Sequence, residues 1–273
     1  MLSELEITQF EVFGFVVLRG FLSQHDIDAL NAEFDVALER AEATMERASF
    51  RKQLNWWNFM PDTPFTASLL EQPRFLDKVK QLLGDDVVAS FSASNSFSGD
   101  RTDWHPDTSQ KNWRGLKFGI YLQSLDGSNG ALRLIPGSHR EPMHSEFKRI
   151  PLKEGFAHSD VLLQEDGLTV DQVPSHIAAV ECGDVLIFDN YAWHGSYGGG
   201  EDRRLITMGY FAAPKTPEQE QAVREQVTAE SKIRDIFPLL QRDPFWLNNP
   251  DNNPERAKWI ATLRKYGFVA ESG

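Results

Sequence analysis

The 273-residue sequence predicts an α+β fold, a β-barrel or sandwich buttressed by helices at both ends. Three observations carry that prediction. Apolar residues recur at helical spacing before residue 84 and again after residue 216. Between about residues 86 and 211 the period changes to two, the signature of strands. Turn signals rich in glycine, proline and asparagine punctuate that middle region, and no internal repeat or low-complexity linker divides the chain. Residues 1–273 therefore read as one domain.

Residues 7 to 22 read as a short helical entry followed by a strand around Gly14 to Arg19. Ser23, with Asp26 three residues on, forms a capping-box-like start for a helix whose apolar face is Ile27, Leu30, Phe34 and Leu38. Residues 49 to 66 read as irregular. Their Trp56-Trp57 pair either lines a pocket or folds onto the core, with the core reading preferred because an irregular segment tends to bury its aromatics. Pro73 suits the first turn of a second helix, ended by Gly84. From Asp86, five alternate serines (Ser90 to Ser98) share one strand face, which suits either solvent or the wall of a polar cavity. Leu116 to Gln123 alternates as a strand that carries Lys117, Gly119 and Tyr121 on one face. The turn Asp126 to Gly130 then predicts a hairpin with Ala131 to Ile135 as its returning strand. His176 to Glu181 and Val185 to Asp189 read as short strands joined across Gly183-Asp184, and Arg203 to Phe211 as the last strand. Helices begin at Thr216-Pro217 and at Asn253-Pro254, the second ending near Gly267.

Composition narrows the function. A net charge of −12 argues against nucleic acid, whose binding rests on lysine and arginine. A single cysteine, Cys182, excludes a disulfide framework and is expected to be a small buried residue. Neither a signal peptide nor an apolar run of about 20 residues is evident, so the expectation is a cytoplasmic protein without a membrane span.

The chemistry-bearing candidates are histidines followed two residues later by an acid. There are four such pairs: His105/Asp107, His139/Glu141, His144/Glu146 and His158/Asp160. About one is expected by chance from residue frequency, so the motif alone selects nothing. Position does more. His105-Pro106-Asp107 follows a strand and His194 follows another, so the three side chains can converge on one ion from rigid supports. The other pairs lie in a stretch without strand periodicity, where charged residues are usually solvated. Two imidazoles and one carboxylate would leave several metal positions open, the pattern of non-haem iron oxygenases.

Longer segments resemble the phytanoyl-CoA dioxygenase family of iron- and 2-oxoglutarate-dependent oxygenases. FEVFGFVVLRGFLS is similar to its entry segment, His105-Pro106-Asp107 to its His-x-Asp motif, and GIYLQSLDGSNGALRLIPGSH to its central hairpin. CGDVLIFDNYAWHGS resembles the strand that delivers the distal histidine, and Arg203 to Phe211 the strand with the co-substrate arginine. The resemblance covers roughly residues 7 to 212, leaving 213–273 as a C-terminal helical extension. It implies a double-stranded β-helix (jelly-roll, cupin-like) core flanked by helices. It also implies Fe(II) on His105, Asp107 and His194, with 2-oxoglutarate and O2 filling the remaining positions. The distal carboxylate of 2-oxoglutarate would meet an arginine. Strand parity sets Arg203 on a face with Thr207, which suits a polar ligand better than the Arg204 face, yet a short preceding loop keeps Arg204 open. Ser196 matches a serine that contacts the co-substrate, and Tyr121 is a further contact or ordinary packing. The implied reaction is hydroxylation of an unactivated C–H bond in a small molecule, with release of succinate and CO2. An acid at position 107 argues against the halogenase variant of the site, in which a small residue stands there.

Two competing classes follow from the same residues: a β-helix protein that binds a small ligand without turnover, and a hydrolase using three-ligand zinc. Trp56, Trp57, Trp113, Arg101, residues 140 to 175, Phe245-Trp246 and Trp259 are the candidates for a substrate pocket or its lid. Nothing in the sequence names the substrate or the oligomeric state.

Overall fold

The computed structural model describes residues 1–44, 53–97, 102–152, 166–200, 202–236 and 239–269. Helix α1 (Glu4–Phe13) starts on a Ser3/Glu6 capping box and ends at Gly14, whose φ of 85° needs glycine. Strand β1 (Phe15–Leu18), helix α2 (Gln24–Thr44), strand β2 (Gln53–Trp57), and helices α3 (Pro64–Ser68) and α4 (Pro73–Leu83) follow. The central region comprises β3 (Val87–Phe97), β4 (Thr102–His105), β5 (Gly115–Tyr121), β6 (Leu132–Leu134), helix α5 (Met143–Phe147), β7 (His176–Ala178), β8 (Val185–Asp189), β9 (His194–Ser196) and β10 (Arg203–Ala212). Helices α6 (Pro217–Ile236), α7 (Pro244–Leu247) and α8 (Pro254–Tyr266) complete the order.

The strands form two antiparallel sheets, a six-stranded one ordered β1-β8-β5-β10-β3-β2 and a four-stranded one ordered β4-β9-β6-β7. Period-two alternation divides the large sheet into two faces. Leu116, Phe118, Ile120, Ile206, Met208 and Tyr210 point outward into the main core with helical Phe34, Leu76, Trp259 and Leu263. Tyr121, Leu186, Phe188 and Leu205 point inward, against Leu132, Leu134 and Ala178 of the small sheet. Helices therefore brace one sheet, and the space between sheets is left for the site. No helix among the described residues is long and apolar enough to cross a membrane.

Five expectations need correction. Residues 53–57 form an edge strand on β3, because Trp56 and Trp57 pair in register with Ser94 and Ala93; both tryptophans are buried. Ser90, Ser92, Ser94 and Ser96 face neither solvent nor a cavity. They are buried on the side of β3 against which α8 packs, with Ser92 and Ser94 exchanging hydrogen bonds with the Asn58 carboxamide. Ser98 lies outside the described residues. The turn at 126–130 closes no hairpin: β5 already has β8 and β10 as neighbours, so the chain crosses to the small sheet and β6 pairs with β7 and β9. The strands on either side of Gly183-Asp184 likewise belong to different sheets. Cys182 is exposed, in the turn between β7 and β8.

The α2 capping box has a second anchor, invisible in the sequence. Asp26 accepts from the Ser23 amide at 2.9 Å and from both terminal nitrogens of Arg74 at 2.8 Å. Arg74 holds this carboxyl far below the usual range, with Ser23 assisting and burial opposing. Asp26→Asn should destabilise the protein by about 1.5–3 kcal/mol, the range for hydrogen bonds to charged groups. A depressed folded pKa gives stability that is full above the unfolded value and lost as pH falls. Urea midpoints of wild type and variant should thus differ widely at pH 7 and converge progressively below about pH 4.

Candidate metal centre and active site

The site begins with two Trp-His dipeptides on neighbouring strands. His105 ends β4 and His194 begins β9, opposite each other in register, with ring centroids 4.3 Å apart. Alternation sends the preceding residues to the other face. Trp104 and Trp193 are buried there with Phe147, Ile135 and Leu152, which fixes both strands from behind. Asp107 is held by its backbone: the Asn190 carbonyl, four residues before His194, accepts from the amides of Asp107 at 2.8 Å and Thr108 at 3.2 Å. The two halves of the site are thereby tied together.

Hydrogen bonding sets the tautomers. Nδ1 of His105 lies 2.7 Å from the Asp103 carbonyl, and Nδ1 of His194 lies 2.9 Å from the Ala192 carbonyl. A carbonyl only accepts, so each Nδ1 carries the proton and each Nε2 presents a lone pair. One donor atom from each of His105, Asp107 and His194 falls within 4.8 Å of the others. Asp107 Oδ2 is buried without a hydrogen bond. Two imidazoles that offer Nε2 in the neutral form and a carboxylate with an unsatisfied oxygen fit a divalent metal, and the electrostatics of Asp107 and His194 agree. Burial resists ionisation of Asp107, but Lys117, His194 and His105 outweigh it and hold the carboxyl at about 2. Burial, with His105 beside it, pushes His194 down to about 3, so it stays neutral and able to ligate.

Arg203 heads β10 on the inward face. It is only 2% exposed, packs at 4.0 Å over the Phe97 ring, and donates to the Gly130 carbonyl and, at 3.1 Å, to Ser196 Oγ. Its Nε has no partner, and no carboxylate pairs with it among the described residues. Burial lowers its pKa, with Tyr121 opposing. Ser196, two residues after His194, also accepts from the Thr102 amide at 3.0 Å. Tyr121, buried and in register with Leu205, and Thr207, in register with Gly119, share the Arg203 face. Arg204 points the other way, to Asp35 at 2.7 Å and over the Phe34 ring on α2. The fold thus gathers Arg203, Ser196, Tyr121 and Thr207 on the inner side and leaves Arg204 outside.

The remaining candidates disperse. His139 reaches the Glu11 carbonyl. His144 is not solvated, as its surroundings in the sequence suggested, but fully buried. It stacks at 3.5 Å on Tyr191 and donates from Nδ1 to the Tyr191 and Ser138 carbonyls. It pins the segment before His194. His158, Asp160 and Arg101 lie outside the described residues. Trp113, Trp246 and Trp259 are core, whereas Phe245 is exposed. One residue of the centre had no role in the sequence reading: Lys117, whose Nζ lies 2.6 Å from Asp107 Oδ1. Its signal was there, a lysine in an inward row otherwise filled by Gly119 and Tyr121.

Known proteins resemble this chain in sequence and in fold. A 27% identical relative over 218 residues is the ectoine dioxygenase of Bordetella bronchiseptica, matched over 71% of this chain and 70% of that protein. A probable alpha-ketoglutarate-dependent hypophosphite dioxygenase of Stutzerimonas stutzeri is 26% identical over 157 residues, 55% of this chain and 54% of its own. Among solved structures, HygX from Streptomyces hygroscopicus with nickel and 2-oxoglutarate bound superposes with a TM-score of 0.58 at 18% identity, covering 79% of this chain and 89% of that one. AviO1 from Streptomyces viridochromogenes Tue57 gives 0.56 at 20% identity, covering 80% and 98%. These likenesses share the jelly-roll fold. The phytanoyl-CoA dioxygenase (PhyH) family model matches residues 10–205, from the end of α1 into β10 and well over half of the chain, which therefore belongs to that family.

Proposed function

We propose that this protein is a non-haem iron, 2-oxoglutarate-dependent dioxygenase that hydroxylates a C–H bond of a small organic molecule. The observation that carries the reading is the pairing of two sites in one barrel. One is a His105-Asp107-His194 triad with both Nδ1 atoms engaged by backbone carbonyls, and the other is a buried Arg203 beside Ser196 with no carboxylate partner among the described residues. His105, His194 and Asp107 would hold Fe(II), leaving positions for a chelating keto acid and O2. When bound, the metal supplies O2 activation coupled to decarboxylation of the co-substrate. The protein supplies orientation and dryness. Arg203 is suited to grip the distal carboxylate by charge-assisted hydrogen bonds, with Ser196 adding a hydroxyl. Tyr121, kept neutral by a pKa pushed up by burial to about 12, can donate its hydroxyl proton. Leu186, Phe188 and Leu205 pack with Tyr121 in an apolar cluster, Phe188 at 4.8 Å from the His194 ring, which would keep water from that side of the site. We read α6 to α8 as part of the same unit, since α8 packs on β3, and a cytoplasmic site of action as the sense of the composition.

The test is anaerobic addition of Fe(II) and 2-oxoglutarate. The expected result is a weak visible charge-transfer band that disappears in air, and substrate-stimulated succinate release. A hydrolase or a binding protein would give neither, and their joint absence would sink the proposal.

A further inference from the structure

We propose that Lys117 is a positioning residue that holds Asp107 by one oxygen and so biases the carboxylate toward serving a metal through a single oxygen. The proposal rests on the oxygenase reading above and adds a residue to it. Lys117 sits mid-strand in β5, in register with Phe188 on β8 and Gly209 on β10, and so faces the barrel interior. Its ammonium lies 5.4 Å from the Phe91 ring centroid and 5.8 Å from that of Phe188. Phe91 can lie there because position 209 is glycine: a Cβ at Gly209 would come within 2.1 Å of the Phe91 ring. Gly209 also marks the bulge in the β10–β3 pairing. Ring, glycine and bulge together aim one ammonium at one carboxylate oxygen. Both partners are largely buried, with side chains 16% and 18% exposed. Among the described residues Asp107 Oδ1 is the sole hydrogen-bond acceptor of Lys117 and also lies 3.8 Å from His194 Nε2, while Oδ2 has no hydrogen bond.

The consequence is coordination number. A carboxylate with two free oxygens can bind a cation through one or both. Bidentate binding by Asp107 would take a position that a chelating keto acid or O2 needs. An ammonium bonded at Oδ1 takes up one of its lone pairs and opposes a second cation there, which disfavours bidentate binding. The same cation favours a dianionic co-substrate. Removing it should therefore weaken 2-oxoglutarate binding but not metal binding, because the freed oxygen adds a ligand and a neighbouring positive charge is gone.

The experiment uses the full chain, stripped of metal by a chelator. Ni(II), then 2-oxoglutarate, is titrated calorimetrically into wild type, Lys117→Met and Lys117→Arg, with circular dichroism checking the fold. Lys117→Met should bind Ni(II) at least as tightly as wild type and bind 2-oxoglutarate about tenfold more weakly, which is about 1.4 kcal/mol. Lys117→Arg should recover most of the loss. A parallel fall in both affinities would make Lys117 a mere structural support and overturn the proposal. So would unchanged 2-oxoglutarate binding. If Lys117→Met does not fold, Lys117→Gln is judged by the same two affinities. Wild type binding neither Ni(II) nor 2-oxoglutarate would instead bring down the oxygenase reading itself, and this inference with it.

Discussion

Asp107→Ala should abolish 2-oxoglutarate turnover and lower Ni(II) affinity by more than about 100-fold, because losing even an outer-shell partner costs 10–100-fold. The variant has a second effect that must be separated from the first. It leaves Lys117, whose side chain is 16% exposed, without its acid. Breaking one half of a buried pair costs about 3–5 kcal/mol, so the metal-free variant should also melt early. Asp107→Ala/Lys117→Met removes both charges and should recover much of that stability while leaving metal binding lost. Thermal melts with and without Ni(II) read both quantities. If the double variant regained Ni(II) binding as it regained stability, Asp107 would be a structural partner of Lys117 and not a ligand.

That coupling marks where sequence reading stopped. The convergence of His105, Asp107 and His194 was legible because they follow strands; that Trp104 and Trp193 pack on the opposite face and turn the histidines inward came only with the structure. The barrel walls were legible from the same period of two. Sheet membership was not: a turn such as Asp126 to Gly130 specifies a reversal of direction, but only packing between sheets decides whether the returning strand pairs with its neighbour or crosses over. The serine face of β3 misled for a related reason. Small hydroxyl side chains suit solvent, cavity and close helix packing equally, and the choice belongs to Asn58 and α8, distant in sequence. His144 and Lys117 share this character, since a buried polar group is defined by partners such as the Tyr191 carbonyl or Asp107.

Arg203→Met should raise the dissociation constant for 2-oxoglutarate by about two to three orders of magnitude, within the 2–5 kcal/mol typical of truncating a buried, hydrogen-bonded charge pair. Arg204→Ala should not change it, because Arg204 is engaged with Asp35 on α2. The stability signature differs from that of Asp107. A guanidinium 2% exposed with no carboxylate partner among the described residues carries a desolvation penalty that an incoming carboxylate relieves. Without 2-oxoglutarate, Arg203→Met should therefore be about as stable as wild type, the lost packing on Phe97 offset by removal of a buried charge. With 2-oxoglutarate at about 100 times the wild-type dissociation constant, Ni(II)-loaded wild type gains about 2.7 kcal/mol by linkage. A variant weakened about 100-fold gains only about 0.4 kcal/mol under the same conditions. Urea midpoints measured with and without the co-substrate give this difference directly. A variant that still gains the full wild-type increment would show that another group takes the distal carboxylate, whereas equal loss in Arg203→Met and Arg204→Ala would point to the strand β10 as a whole and not to the buried guanidinium.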